Sequence, residues 1–111
     1  MQIELDKHGK ADLIRMTGRL DSACSREAEE RVFALLGESP QNDLLVDCTN
    51  LEYISSAGLR VLLKAGKHLH GTGCGLTLIG LRGPVARVFE MSGFDKLFPM
   101  LDALPGQEAP R

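Results

Sequence analysis

Tryptophan is absent, tyrosine occurs once and phenylalanine four times. A chain of 111 residues so poor in aromatics has to assemble its core from Leu, Val, Ile, Ala and Met. At this length that suffices for one domain with a modest stability margin. No apolar run approaches the roughly 20 residues that cross a bilayer, and the opening MQIELDKHGK has none of a signal peptide's apolar stretch. Both absences point to a cytoplasmic protein. The three cysteines, Cys24, Cys48 and Cys74, are odd in number and form no C-x-x-C pair, which argues against a zinc site or a disulfide framework. A dominant charge sign is missing as well. With 13 Lys+Arg against 15 Asp+Glu and a net charge of -2, nothing suggests binding driven by counterion release from nucleic acid.

What is present is periodicity. Ile3 and Leu5 alternate, a turn at Lys7-His8-Gly9-Lys10 follows, and Leu13, Ile14 and Met16 complete the pattern of a two-strand hairpin. Beyond Gly18 the period lengthens: Ala28, Val32, Leu35 and Leu36 fall at helical spacing, and Gly37 and Pro40 stop that helix. Either Asp21 or Ser22 can cap its start. Leu44-Leu45-Val46 predicts a strand through about Cys48, and its lack of alternation suits a strand covered on both faces by helices. Leu59, Leu62, Leu63, Gly66 and Leu69 form the clearest helical stripe, ended by the turn at Gly71-Thr72-Gly73-Cys74-Gly75. Leu76, Leu78, Ile79 and Leu81 predict another strand, and Pro84 suits the first turn of a helix with Val85, Val88 and Phe89 on its apolar face, ended by Gly93. Leu97-Phe98-Pro99-Met100 then reads as a terminal edge strand, with Leu101 and Leu104 in a small closing helix. The order β-β-α-β-α-β-α-β implies an α/β fold, a mixed sheet with helices packed against it by right-handed crossovers. One domain over 1–104 and a flexible tail over 105–111 are expected. So small a chain leaves little interior volume for a cofactor, and a ligand would use the surface or an edge.

The segment Tyr53-Ile54-Ser55-Ser56-Ala57-Gly58-Leu59 joins the central strand to the clearest helix. First-turn amides and the positive end of the helix dipole favour anionic oxygen at such a point. Phosphorylation would bring about -1.5 to -2 units of charge and three acceptor oxygens there. Ala57 and Gly58 leave the neighbouring surface uncluttered for the backbone of another protein. Two readings of the serine pair stand side by side: Ser55 or Ser56 caps the helix, or one of them is a modification or recognition site.

Leu44-Leu45-Val46-Asp47-Cys48-Thr49-Asn50, continued by Leu51-Glu52-Tyr53-Ile54-Ser55-Ser56-Ala57-Gly58-Leu59-Arg60-Val61-Leu62-Leu63, closely resembles the STAS family of anti-sigma factor antagonists. Gly18-Arg19-Leu20-Asp21 and Gly93-Phe94-Asp95-Lys96-Leu97-Phe98 look like further family landmarks, so the resemblance extends over roughly residues 3 to 104. It implies a STAS-like mixed four- to five-stranded sheet with helices packed against it, in a protein of bacterial partner-switching circuits. Unmodified, such a protein binds an anti-sigma factor with serine kinase activity and thereby frees a sigma factor. Phosphorylation reverses that choice, and a serine phosphatase is the implied third component. In the family the acceptor follows an acidic residue in an Asp-Ser-Ser/Thr-Gly pattern. The matching acceptor is Ser56, and its preceding residue is Ser55 in place of Asp, which makes Ser55 a competing acceptor. Asp21 matches an acidic position near the partner surface, as a group that orients the serine or contacts the kinase, or as an exposed cap. Arg60, one turn into the helix, either meets an acidic partner or phosphate or simply faces solvent. The partner-binding set implied is Asp21, Ser55, Ala57, Gly58 and Arg60. A STAS-like scaffold that binds another signalling protein without phosphorylation is the alternative.

An enzyme fits poorly. His8, His68 and His70 form no nucleophile-elbow pattern with Ser56 and no convincing metal-ligand set. The glycine-rich stretch at 71–75 lacks the Gly-Lys-Ser/Thr ending of a P-loop. No focused basic patch or aromatic array suggests nucleic acid. The expectation is therefore a protein that is not an enzyme, with no cofactor, no metal, no direct nucleic-acid binding and no membrane association.

Overall fold

Among the described residues five strands make one sheet in which spatial order follows chain order. The computed structural model describes residues 1–106; residues 107–111, most of the expected tail, lie outside the described residues. Strand β1 (Gln2–His8) pairs antiparallel with β2 (Ala11–Leu20) across a two-residue connection. Gly9 adopts a positive φ of 62° there, a conformation that fits a tight hairpin and that glycine reaches without strain. Strands β3 (Leu44–Ile54), β4 (Leu76–Ile79) and β5 (Met100–Leu101) continue the sheet in parallel, β3 beside β2. Parallel neighbours need crossovers, supplied by helices α1 (Ser25–Leu36), α2 (Ser56–His70) and α3 (Gly83–Met91), the last followed by a 3-10 turn at Phe94–Lys96. Pro84 sits in the first turn of α3, where its missing amide is harmless.

The two faces of the sheet are covered differently. Ile14, Leu44, Val46, Leu76 and Leu78 point into the main core, which also takes Val32 from α1, Leu62 and Leu69 from α2, and Val85 and Phe89 from α3. Residues one position along, Leu13, Leu45 and Ile79, emerge on the opposite face and meet Leu104 in a small separate cluster. All three helices thus pack into one cluster, and the expectation of helices on both faces of β3 is corrected: the second face is sealed at one end by Leu104, next to the C-terminal turn.

Further expectations need adjusting. The β3 strand runs on to Ile54 because β2 supplies ladder partners as far as Leu20 opposite Ile54, through register shifts near Thr17 and Gly18. Its polar middle satisfies itself locally: Asp47 Oδ1 accepts the Thr49 amide at 3.0 Å and the Thr49 hydroxyl at 2.6 Å. The last strand is Met100–Leu101 instead of 97–100, since Phe94–Lys96 wind into a 3-10 turn first. Leu101 pairs with Ile79, so no closing helix forms at 101–104. Neither Asp21 nor Ser22 is the N-cap of α1; the helix starts at Ser25 with Cys24 in the cap position and no side-chain cap bond. Of the expected tail, Pro105 is anchored at its carbonyl, which accepts from His8 Nε2 at 2.7 Å.

Candidate functional site

The turn from β3 into α2 is held to the end of β2. The Ser55 amide donates to the Leu20 carbonyl at 2.9 Å, and the Ser55 hydroxyl donates to the same carbonyl at 3.2 Å. That hydroxyl also accepts the Gly58 amide at 3.1 Å, with Ser55 in extended conformation at φ -92° and ψ 171°. These are the marks of an N-cap, which meets one of the amide donors that a helix's first turn cannot satisfy internally. Of the two readings left open for the pair, capping falls to Ser55. Ser56 is the first residue of α2 and is exposed, and among the described residues its hydroxyl has no hydrogen-bond partner. No acidic side chain occupies the first turn of α2.

Asp21 follows Leu20 directly, so the bonds between Ser55 and Leu20 draw its loop alongside the serine pair. Its Oδ1 accepts the amides of Ala23 at 3.0 Å and Cys24 at 3.1 Å, which closes the turn before α1. The Cys24 thiol beside it, helped by the Cys24 and Ala23 amides, holds the carboxyl below its ordinary value of 3.8. The Cys24 sulfur also lies 3.2 Å from the Arg19 carbonyl oxygen, an alternative acceptor for its single proton. On the adjoining strands, the Arg19 guanidinium lies 4.2 Å from the centroid of the Tyr53 ring, a cation–π pair between ladder partners. Tyr53 remains 40% exposed, so this pair presents surface next to the serines. Arg19, Leu20 and Tyr53 fall within the segments that carry the family resemblance, but the sequence assigns none of them a role at this site. Only the β2–β3 register brings them here, although an isolated tyrosine two residues before the serine pair was a visible signal.

Ala57 is half-buried and Arg60 is exposed four residues after Ser56, a spacing that puts both on one side of α2. The view that Gly58 opens the surface to a partner is corrected, because Gly58 is buried. A Cβ placed there would lie 2.8 Å from Leu20 Cγ and 2.9 Å from both Ile54 Cγ1 and the Leu20 carbonyl oxygen. The missing side chain lets α2 approach the end of β2, which is an internal requirement.

Among the described residues no group of three or more His, Cys, Asp or Glu is placed to hold a metal. Burial pushes the Cys48 thiol up to about 12, so it has little thiolate with which to react. Among the described residues no helix is long and apolar enough to cross a membrane.

A family model described as the Mlab STAS domain matches residues 3–102. BtrV of Bordetella bronchiseptica, provisionally named an anti-sigma factor antagonist, is 33% identical over 103 residues, 93% of this chain and 88% of that protein. The crystal structure of an anti-sigma factor antagonist from Mycobacterium paratuberculosis superimposes with a TM-score of 0.84 at 25% identity, over 95% of this chain and 88% of that one. The Bacillus cell fate determinant SpoIIAA in its phosphorylated form gives 0.74 at 16% identity over 95% of each chain, a likeness of fold alone. With this sheet order, this serine-headed helix and these matches together, the chain belongs to the STAS-domain family of anti-sigma factor antagonists.

Proposed function

We propose that the protein is an anti-sigma factor antagonist switched by phosphorylation of Ser56. In the unmodified state it binds an anti-sigma factor with serine kinase activity through the surface around the start of α2, formed by Ser56, Ala57, Arg60 and the Asp21 loop. The kinase transfers the terminal phosphoryl group of ATP to Ser56 Oγ; the hydroxyl proton leaves, ADP is released, and the complex dissociates. A serine phosphatase hydrolyses the ester and resets the protein. As a member of a regulatory domain family the chain is not an enzyme, so ATP and Mg2+ belong to the kinase.

The observation that carries this reading is the contrast between adjacent hydroxyls. Ser55 is half-buried and engaged both as donor and as acceptor, whereas the Ser56 hydroxyl is exposed and unengaged among the described residues. The departure from the family's Asp-Ser pattern fits as well. Serine replaces aspartate in capping the helix equally well, and it removes a carboxylate that would repel the phosphate. In the free protein, phospho-Ser56 would sit at the positive end of α2 near first-turn amides, with no acid in that turn. In the complex the same group would have to shed water against a partner surface shaped for a hydroxyl, so the penalty falls on the complex.

The test is incubation with kinases encoded near its gene, read by intact mass and fragment ions. One phosphate on Ser56 is expected, and Ser56→Ala should abolish most labelling with an unchanged circular dichroism spectrum. Persistent stoichiometric labelling of that variant would transfer the role to Ser55 or another residue. Partner capture without any labelling would favour the unphosphorylated scaffold.

A further inference from the structure

Away from the Ser56 end, a groove of about 510 Å3 opens between the C-terminal half of α2, the start of β4 and the segment leading into β5. That volume lies within the ~300–1,000 Å3 common for small-molecule sites. Its apolar walls include Leu63, Leu76, Leu97, Phe98 and Pro99, and the exposed Lys67 and His70 border it. Among the described residues no Asp or Glu lines it. The Asp43 carboxylate, outside the lining, is engaged by the Gly75 amide at 2.8 Å.

The groove has a packed floor. A Cβ at Gly66 would come within 2.3 Å of the Phe98 ring, so the phenyl lies directly on the helix backbone. That ring also packs against Phe94 at a centroid distance of 5.5 Å. Beside it Leu97 is 59% exposed, a large apolar side chain left without cover. An apolar trough bordered by the Lys67 ammonium and the His70 ring and lined by no acid favours a solute with an apolar body and an anionic head, because such a solute satisfies both parts of the lining.

We propose that this groove binds a small single-chain amphiphile with a carboxylate head, its tail along Leu63, Leu76, Leu97 and Phe98 and its carboxylate beside Lys67 and His70. The site is separate from Ser56 and does not depend on phosphorylation. The experiment is titration of the full chain with octanoate, below the concentration at which it forms micelles, followed by amide NMR. Saturable shifts are expected at Leu63, Gly66, Lys67, Leu97 and Phe98, sparing residues 55–60. Octanol, with the same chain and no charge, should bind at least tenfold more weakly, and so should octanoate to Lys67→Glu, a change at an exposed position whose retained fold is checked by an unchanged circular dichroism spectrum. The proposal is overturned by an absence of saturable shifts, by equal binding of octanol, or by an unchanged affinity of Lys67→Glu. Shifts centred on the Ser56 end, or capture by anionic phospholipid vesicles without an octanoate response, overturn it too.

Discussion

At the first turn of α2 the Ser55 hydroxyl accepts the Gly58 amide and donates to the Leu20 carbonyl, 35 residues away in sequence. Ser55→Ala removes both bonds. Loss of such a cap costs about 1 kcal/mol, so urea unfolding should show a lowered midpoint while Ser56 continues to accept phosphate; an unchanged midpoint would contradict the capping role. Asp21 makes a pH prediction. Its folded carboxyl titrates below 3.8, so the folded state binds fewer protons than the unfolded chain as the acid range is entered. Its contribution is therefore present above the unfolded value and is lost as pH falls through the lower folded value. Asp21→Asn should flatten the stability profile below pH 3.8 and leave it parallel to wild type above. The group is solvent-accessible, so the effect is small, and superimposable acid limbs would refute it.

For the elements, the contact between α2 and the end of β2 matters most for the site. Gly58→Ala forces a methyl to within 3 Å of Leu20 and Ile54. Either the helix shifts or the strand end moves, at a cost of about 1–3 kcal/mol typical of overpacking. Thermal unfolding should show the loss, and amide NMR shifts should spread to Leu20, Ser55 and Ser56; shifts confined to residue 58 would argue against the contact. The stripe of α2 was plain in the sequence because an amphipathic helix repeats its apolar residues every turn. The full length of β3 was not, since Asp47, Thr49 and Asn50 carry turn chemistry. Only pairing with β2, from Asp12 to Leu20, overrides that local preference.

In the whole molecule the helices share one core cluster and the other face relies on Leu104, 6% exposed, to cover Leu13, Leu45 and Ile79. Leu104→Ala should cost about 2 kcal/mol or more, measurable by chemical denaturation, and should leave labelling of Ser56 unaffected. Wild-type stability in this variant would mean that the second face needs no cover. Partner binding also belongs to this scale. Authentic phospho-Ser56 protein should bind the anti-sigma factor more weakly than the unmodified form by calorimetry, with the same unfolding midpoint. Ser56→Asp should fall between them, because a carboxylate carries less charge and fewer oxygens. Equal affinity of the unmodified and phosphorylated forms would remove the switch.

The α/β class, the order of elements, the principal helix and the serine pair at its head follow from the sequence alone, because each is written in local periodicity or in contiguous residues. Which hydroxyl is engaged and which is left exposed, why Gly58 must lack a side chain, and which face of the sheet the helices occupy were decided by tertiary structure. Each depends on groups distant in the chain, the Leu20 carbonyl for the serines and Leu104 for the second face, and no short window of sequence contains both halves of such a contact.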